Sequence, residues 1–125
     1  MMHFVFDHTC VTALVAEADP VLNSFYVEAS YGNVELLVPA LAAVAADRDK
    51  PGTGRHVVGA RYTTVVPFEA GHVGRAAAWP QADWRALHPA ALTLDLAARG
   101  HHAVLLSLDA GLYRGIDVTP LDPLE

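Results

Sequence analysis

One cysteine and one lysine are all that this sequence of 125 residues contains of either type. With Cys10 alone, no intrachain disulfide can form and a Cys-based zinc cluster is excluded, so a reducing, cytoplasmic setting is expected. No uninterrupted apolar run approaches the roughly 20 residues that a bilayer span needs. Met1 to Phe6 shows no basic segment leading into a long apolar one, so neither secretion nor membrane insertion is expected. Basic residues are also scarce: 8 Lys and Arg against 14 Asp and Glu give a net charge of −6. That balance argues against a domain that simply coats nucleic acid, because non-specific affinity for phosphate comes from clustered Lys and Arg. It does not exclude a nuclease, whose metal site is itself acidic.

What the chain has is apolar residues, 53% of the total, ample for one core covered on both faces, and a single domain over residues 1–125 is expected. His3 to Phe6 reads as a strand ending at Asp7, and Cys10 to Ala16 as a helical segment. Asp19 and Pro20 supply the cap and first-turn proline of a helix that carries Val21, Leu22, Phe25, Tyr26 and Ala29 until Gly32 stops it. Glu35 to Val38 reads as a second strand, and Pro39 opens a helix that ends near Asp49. Lys50 to Gly54, with its Pro-Gly pair, reads as a surface loop, and Thr63 to Val66 as a third strand. A helix follows from Glu69 to Ala78. Asp83 caps a short turn, and Pro89 opens a last long helix through Arg99, closed by Gly100. Ala103 to Leu106 is a further strand and Ile116 to Val118 a small final one, with Pro120 to Glu125 frayed.

Strands alternating with helices, and strands apolar on both faces, predict an α/β fold of three layers with a mostly parallel central sheet flanked by helices. Ligands of such sheets sit beyond the carboxyl ends of the strands. Asp7 directly follows the first apolar strand, and Asp109 shortly follows Val104-Leu105-Leu106. If these strands are neighbours, the two carboxylates converge within reach of one divalent ion, which hard oxygen ligands hold and substrate phosphate completes. The alternative is that each Asp caps the next helix or turn.

The segment Phe6-Asp7-His8-Thr9-Cys10-Val11 resembles the opening of a PIN domain, in which a strand delivers an Asp followed two positions later by Ser or Thr. Pro89 to Gly100 resembles that family's alanine-rich late helix closed by Gly. Val104 to Asp109, with Tyr113, resembles its final strand, Ser/Thr-x-Asp and nearby aromatic. The resemblance implies a PIN-like fold and an ancestry among Mg- or Mn-dependent ribonucleases, including toxins of toxin-antitoxin pairs. It also implies RNA as substrate, an antitoxin or other protein partner, and a homodimer.

The departures from that pattern bear on activity. Where the family places an acidic residue in the helix after the second strand, this chain has Ala45, which cannot bind a metal. Asp49 lies one turn further on the same face, either as a substitute or as a solvated helix end. Where the family's third carboxylate opens the late helix, this chain has His88 and Pro89, with Asp83 upstream and Asp95 two turns further along that face. Asp7, Asp109 and Asp95 are the candidate metal ligands, Asp7 and Asp109 also the catalytic pair. His88 is read either as a ligand or proton carrier, or as a capping or buried histidine. Thr9 and Ser107 either orient the retained carboxylates or serve as caps. Cys10 lacks companions for nucleophilic chemistry and is expected in the core. Trp79 and Trp84 either fill the core or form an exposed platform for a partner or a base. His101 and His102 fall on the surface.

Other α/β enzyme classes fit less well. Phosphoryl transfer through Asp7, as in haloacid-dehalogenase-like phosphatases or receiver domains, calls for a second acidic neighbour and a late lysine; this chain has Thr9, and Lys50 lies far in sequence from the late strands. A dinucleotide site calls for Gly-x-Gly-x-x-Gly after the first strand, which is absent. The expected function is thus that of a PIN-like relative of toxin-type ribonucleases with a partly degraded acidic site and weak or absent cleavage, or of a non-catalytic binding scaffold on the same fold.

Overall fold

The computed structural model describes residues 1–125. Four strands, β1 (Met2–Phe6), β2 (Val34–Pro39), β3 (Thr64–Val66) and β4 (His102–Leu106), form one sheet in the order β3-β2-β1-β4. All three pairings are parallel. The six helices are α1 (His8–Val15), α2 (Pro20–Ser30), α3 (Ala40–Asp49), α4 (Thr53–Val58), α5 (Ala70–Ala76) and α6 (Trp84–Ala98), and a short 3-10 turn spans Ala110–Tyr113. No helix is long and apolar enough to cross a membrane.

Side chains of a strand alternate between faces, and β1, β2 and β4 show it. Val5, Leu37 and Leu105 belong to one buried cluster, with Trp79, Ala86, Ala90 and Ala91 of the α5–α6 region. Phe6, Leu36, Val38 and Leu106 belong to the other, with Cys10, Val11, Leu22, Ala46 and Val57 from α1 to α4. A sheet covered on both faces gives the expected three layers. Cys10 is fully buried, as expected from its apolar setting.

Four expectations need correction. The last long helix begins at Trp84, capped by Asp83, and Pro89 lies inside it. Burial of Ala86, Ala90 and Ala91 at 0% exposure outweighs the one backbone bond that a proline forfeits. Lys50 to Gly54 is more than a surface loop: it leads into α4, whose first amides are capped by Asp47 of α3, which accepts from the N–H groups of Gly52 and Gly54 at 3.0 and 3.1 Å. Ile116 to Val118 forms no strand. The tail is tied down at Leu121, whose N–H donates to the Leu105 carbonyl at 2.8 Å and whose carbonyl accepts from Ser107 N–H at 3.1 Å, so the edge of β4 is covered.

Candidate functional site

The register of β1 and β4 places Phe6 opposite Leu106, so Asp7 and Asp109 both emerge at the carboxyl edge of adjacent parallel strands. Across this edge, α3 packs against α1, α4 and α6. The N-terminus of α6 arrives there as well.

Asp7 is 0% exposed and acts as the N-cap of α1. Its Oδ1 accepts from the N–H groups of Thr9 and Cys10 at 3.0 and 3.2 Å and from the Thr9 hydroxyl at 2.5 Å. Its Oδ2 accepts from the Tyr113 hydroxyl at 2.9 Å. A buried carboxylate needs such donors to offset its lost hydration, and here they engage both oxygens. Burial, and then the negative charge of Asp7, push the Tyr113 hydroxyl far above its ordinary pKa, so it stays a donor. The same two causes, in the same order, raise the Cys10 thiol.

Of the two hydroxyls, that of Thr9 bonds the Asp7 carboxylate, whereas that of Ser107 bonds the Asp109 backbone. Thr9 Oγ1 accepts from Leu108 N–H at 2.9 Å while donating to Asp7, tying the start of α1 to the segment after β4. Ser107 Oγ accepts from Asp109 N–H at 3.0 Å. The Asp109 side chain is exposed.

The remaining carboxylates divide. Ala45, Arg48 and Asp49 of α3 line one cleft of about 520 Å³ with Asp83, Trp84 and Arg85 from the start of α6. Asp49 stands 3.9 Å from Nε2 of the buried His8. Asp95 is not brought to this edge: it pairs with Arg99 at 2.9 Å and Arg75 at 3.9 Å. The structure gives it the role of an ion-pair acceptor between α5 and α6, because the two helical turns that separate it from His88 carry it away from the carboxyl edge.

His88 is fully buried and serves as a structural histidine. Its Nδ1 accepts from Leu41 N–H at 3.3 Å, capping α3, whose own N-cap residue is Pro39 and offers no side-chain bond. Phe68 and His72 pack on its ring at 4.9 and 5.0 Å. Burial and the neighbouring His72 lower its pKa to about 4, so the ring is neutral at pH 7. Of the tryptophans, Trp79 is buried and Trp84 is 39% exposed with Arg48 stacked over it at 5.2 Å.

These residues do not fit a bound divalent ion. No group of three or more His, Cys, Asp or Glu side chains comes together to hold one, Asp7 is buried with both oxygens hydrogen-bonded, and Ala45 is apolar. Sequence reading overlooked Arg85 and His8. The only local signal for Arg85 was its place two residues after a capping aspartate, a spacing at which a guanidinium can fold back onto the cap.

No family model and no curated protein matches the chain. Among solved structures, VapBC2 from Rickettsia felis, bound to a DNA fragment from its promoter, is similar over 98% of this chain and 98% of the matched chain, with a TM-score of 0.67 and 9% identity. At that identity the likeness lies in the backbone path, and the parallel four-stranded sheet between helical layers is the PIN-like α/β fold.

Proposed function

We propose that this chain is a PIN-like domain related to toxin-type, metal-dependent ribonucleases, that its acidic site cleaves RNA feebly or not at all, and that its working role is binding. The state of Asp7 carries this reading. In a working site, Mg or Mn ions would activate water and stabilise the departing oxygen; a carboxylate at 0% exposure with four hydrogen-bond donors has no lone pair turned toward solvent. Loss of one fixed ligand is costly, since misplacement by about an ångström lowers rates on the order of a hundredfold.

A protein partner is supported by an apolar groove between α3 and α4, where Val44 and Val58 are 42% and 58% exposed between Asp47, Arg48 and Arg55. By its likeness to VapBC2, an antitoxin segment or a second copy of the chain is the expected occupant, in a cytoplasmic setting. The test of function is incubation with structured and single-stranded RNA in Mg or Mn, beside Asp7→Asn/Asp109→Asn and Ala45→Glu variants checked for folding by circular dichroism. No cleavage by the native protein is expected. Robust cleavage lost in the double variant would overturn the proposal, and a gain in Ala45→Glu would support it.

A further inference from the structure

We propose that Arg85 is the built-in cation of this edge: its guanidinium neutralises the carboxylates of Asp83 and Asp49, which line one cleft with it, and thereby keeps a divalent metal out. The inference rests on reading this edge as the remnant of a PIN-like site.

The geometry is that of a fork. Arg85 Nε and Nη2 donate to Oδ1 and Oδ2 of Asp83 at 2.9 and 2.7 Å, while Arg85 N–H donates to the same Oδ1 at 2.9 Å. One aspartate therefore caps α6 and holds the guanidinium in a single plane. Bidentate guanidinium–carboxylate pairs are among the strongest charge-assisted contacts, and both Asp83 oxygens are occupied by this one. The Asp83 carboxyl is held down at about 2, first by the Arg85 side chain, so it remains an anion at any ordinary pH.

The charges on neighbouring elements point the same way. The Arg85 cation is stabilised first by its hydrogen bonds to Asp83, and to a smaller extent by the charges of Asp49, from α3, and Asp109, after β4. Asp49 also faces His8 of α1 at 3.9 Å. The other arginine of the cleft, Arg48, lies over the Trp84 ring. Arginine suits such a role because it does not deprotonate in proteins, so it cannot yield its place by losing charge. A divalent ion entering here would meet a fixed positive charge and a carboxylate already committed. With that charge removed, the exposed Asp49, on the same cleft, can turn toward an ion beside Asp83.

The experiment is Mn²⁺ binding to the full chain, read from the electron paramagnetic resonance signal of free Mn²⁺. The native protein is expected to bind only weakly, in the millimolar range. Arg85→Gln is expected to bind at least tenfold tighter, Arg85→Lys to stay near the native value because it keeps the charge, and Arg85→Gln/Asp83→Asn to lose the gain. Arg85→Leu provides a second neutral variant should the Gln form misfold by circular dichroism. Micromolar Mn²⁺ binding by the native protein would overturn the proposal, as would neutral variants that bind no better than native. Because bound Mn²⁺ and not cut RNA is read, the latter result would leave the non-cleaving reading intact. RNA cleavage by the native protein would remove that reading while the neutral variants still report on Arg85.

Discussion

Acidification should destabilise this protein through His88 in particular. Its ring is fully buried, and its Nδ1 accepts a backbone N–H from α3. A second proton would have to sit on Nδ1, where the Leu41 N–H already points, so protonation both buries a charge and removes the acceptor that caps α3. The folded pKa is depressed from 6.5 to about 4, so the unfolded chain binds more protons between these values. The stability conferred by the neutral ring is therefore fully present above about pH 6.5 and is lost as pH falls toward about 4. At roughly 1.4 kcal/mol per unit, the shift corresponds to about 3 kcal/mol, a large share of the 5–15 kcal/mol typical of a domain. Urea unfolding at pH 7 and pH 4.5, on the native protein and on His88→Gln, isolates this contribution. Glutamine keeps an acceptor but does not titrate, and carboxylates common to both proteins cancel in the comparison. The native protein should lose about 2 kcal/mol more than the variant over that interval. Equal losses in the two proteins would refute the assignment of His88 as a neutral cap.

Three further outcomes are expected. Tyr113→Phe removes the donor to Asp7 Oδ2 and leaves a buried carboxylate oxygen unsatisfied; a loss of about 1–3 kcal/mol in denaturant unfolding is expected, and an unchanged midpoint would show that Asp7 finds another donor. Gly54→Ala would place a Cβ 2.2 Å from the Ala43 carbonyl oxygen and 2.8 Å from Asp47 Cβ. The α3–α4 contact must then open, lowering thermal stability by roughly 1–3 kcal/mol, and a native-like melting temperature would contradict this close approach. Cys10, buried with its thiol pKa raised by burial and by Asp7, should not react with a thiol reagent in the folded protein and should react fully in denaturant; rapid native labelling would mean that the Asp7 pocket opens.

The sequence by itself determined the layers of this protein and the edge on which its candidate site lies. Apolar alternation in Phe4-Val5-Phe6 and Val104-Leu105-Leu106 requires two covered faces, and strands followed by helices make them parallel, so Asp7 and Asp109 had to emerge on one side. Local signals also sufficed where the partner was close in the chain, as with Asp19 and Pro20 at the start of α2. Tertiary structure decided the rest. Whether Pro89 opens a helix or lies within one depended on what the face of α6 buries, and α4 depended on Asp47 reaching it from α3. His88 could be assigned to capping only once α3 had been brought against it, 47 residues away in sequence. The chemical state of the site was likewise a property of contacts between distant segments. The partner of Asp7 is Tyr113, 106 residues away, and Arg85 comes under the charges of Asp49 and Asp109 only when α3, α6 and the end of β4 meet. Periodicity reports which way a side chain faces, whereas the state of a carboxylate is set by the donors and charges that packing brings within a few ångströms of it.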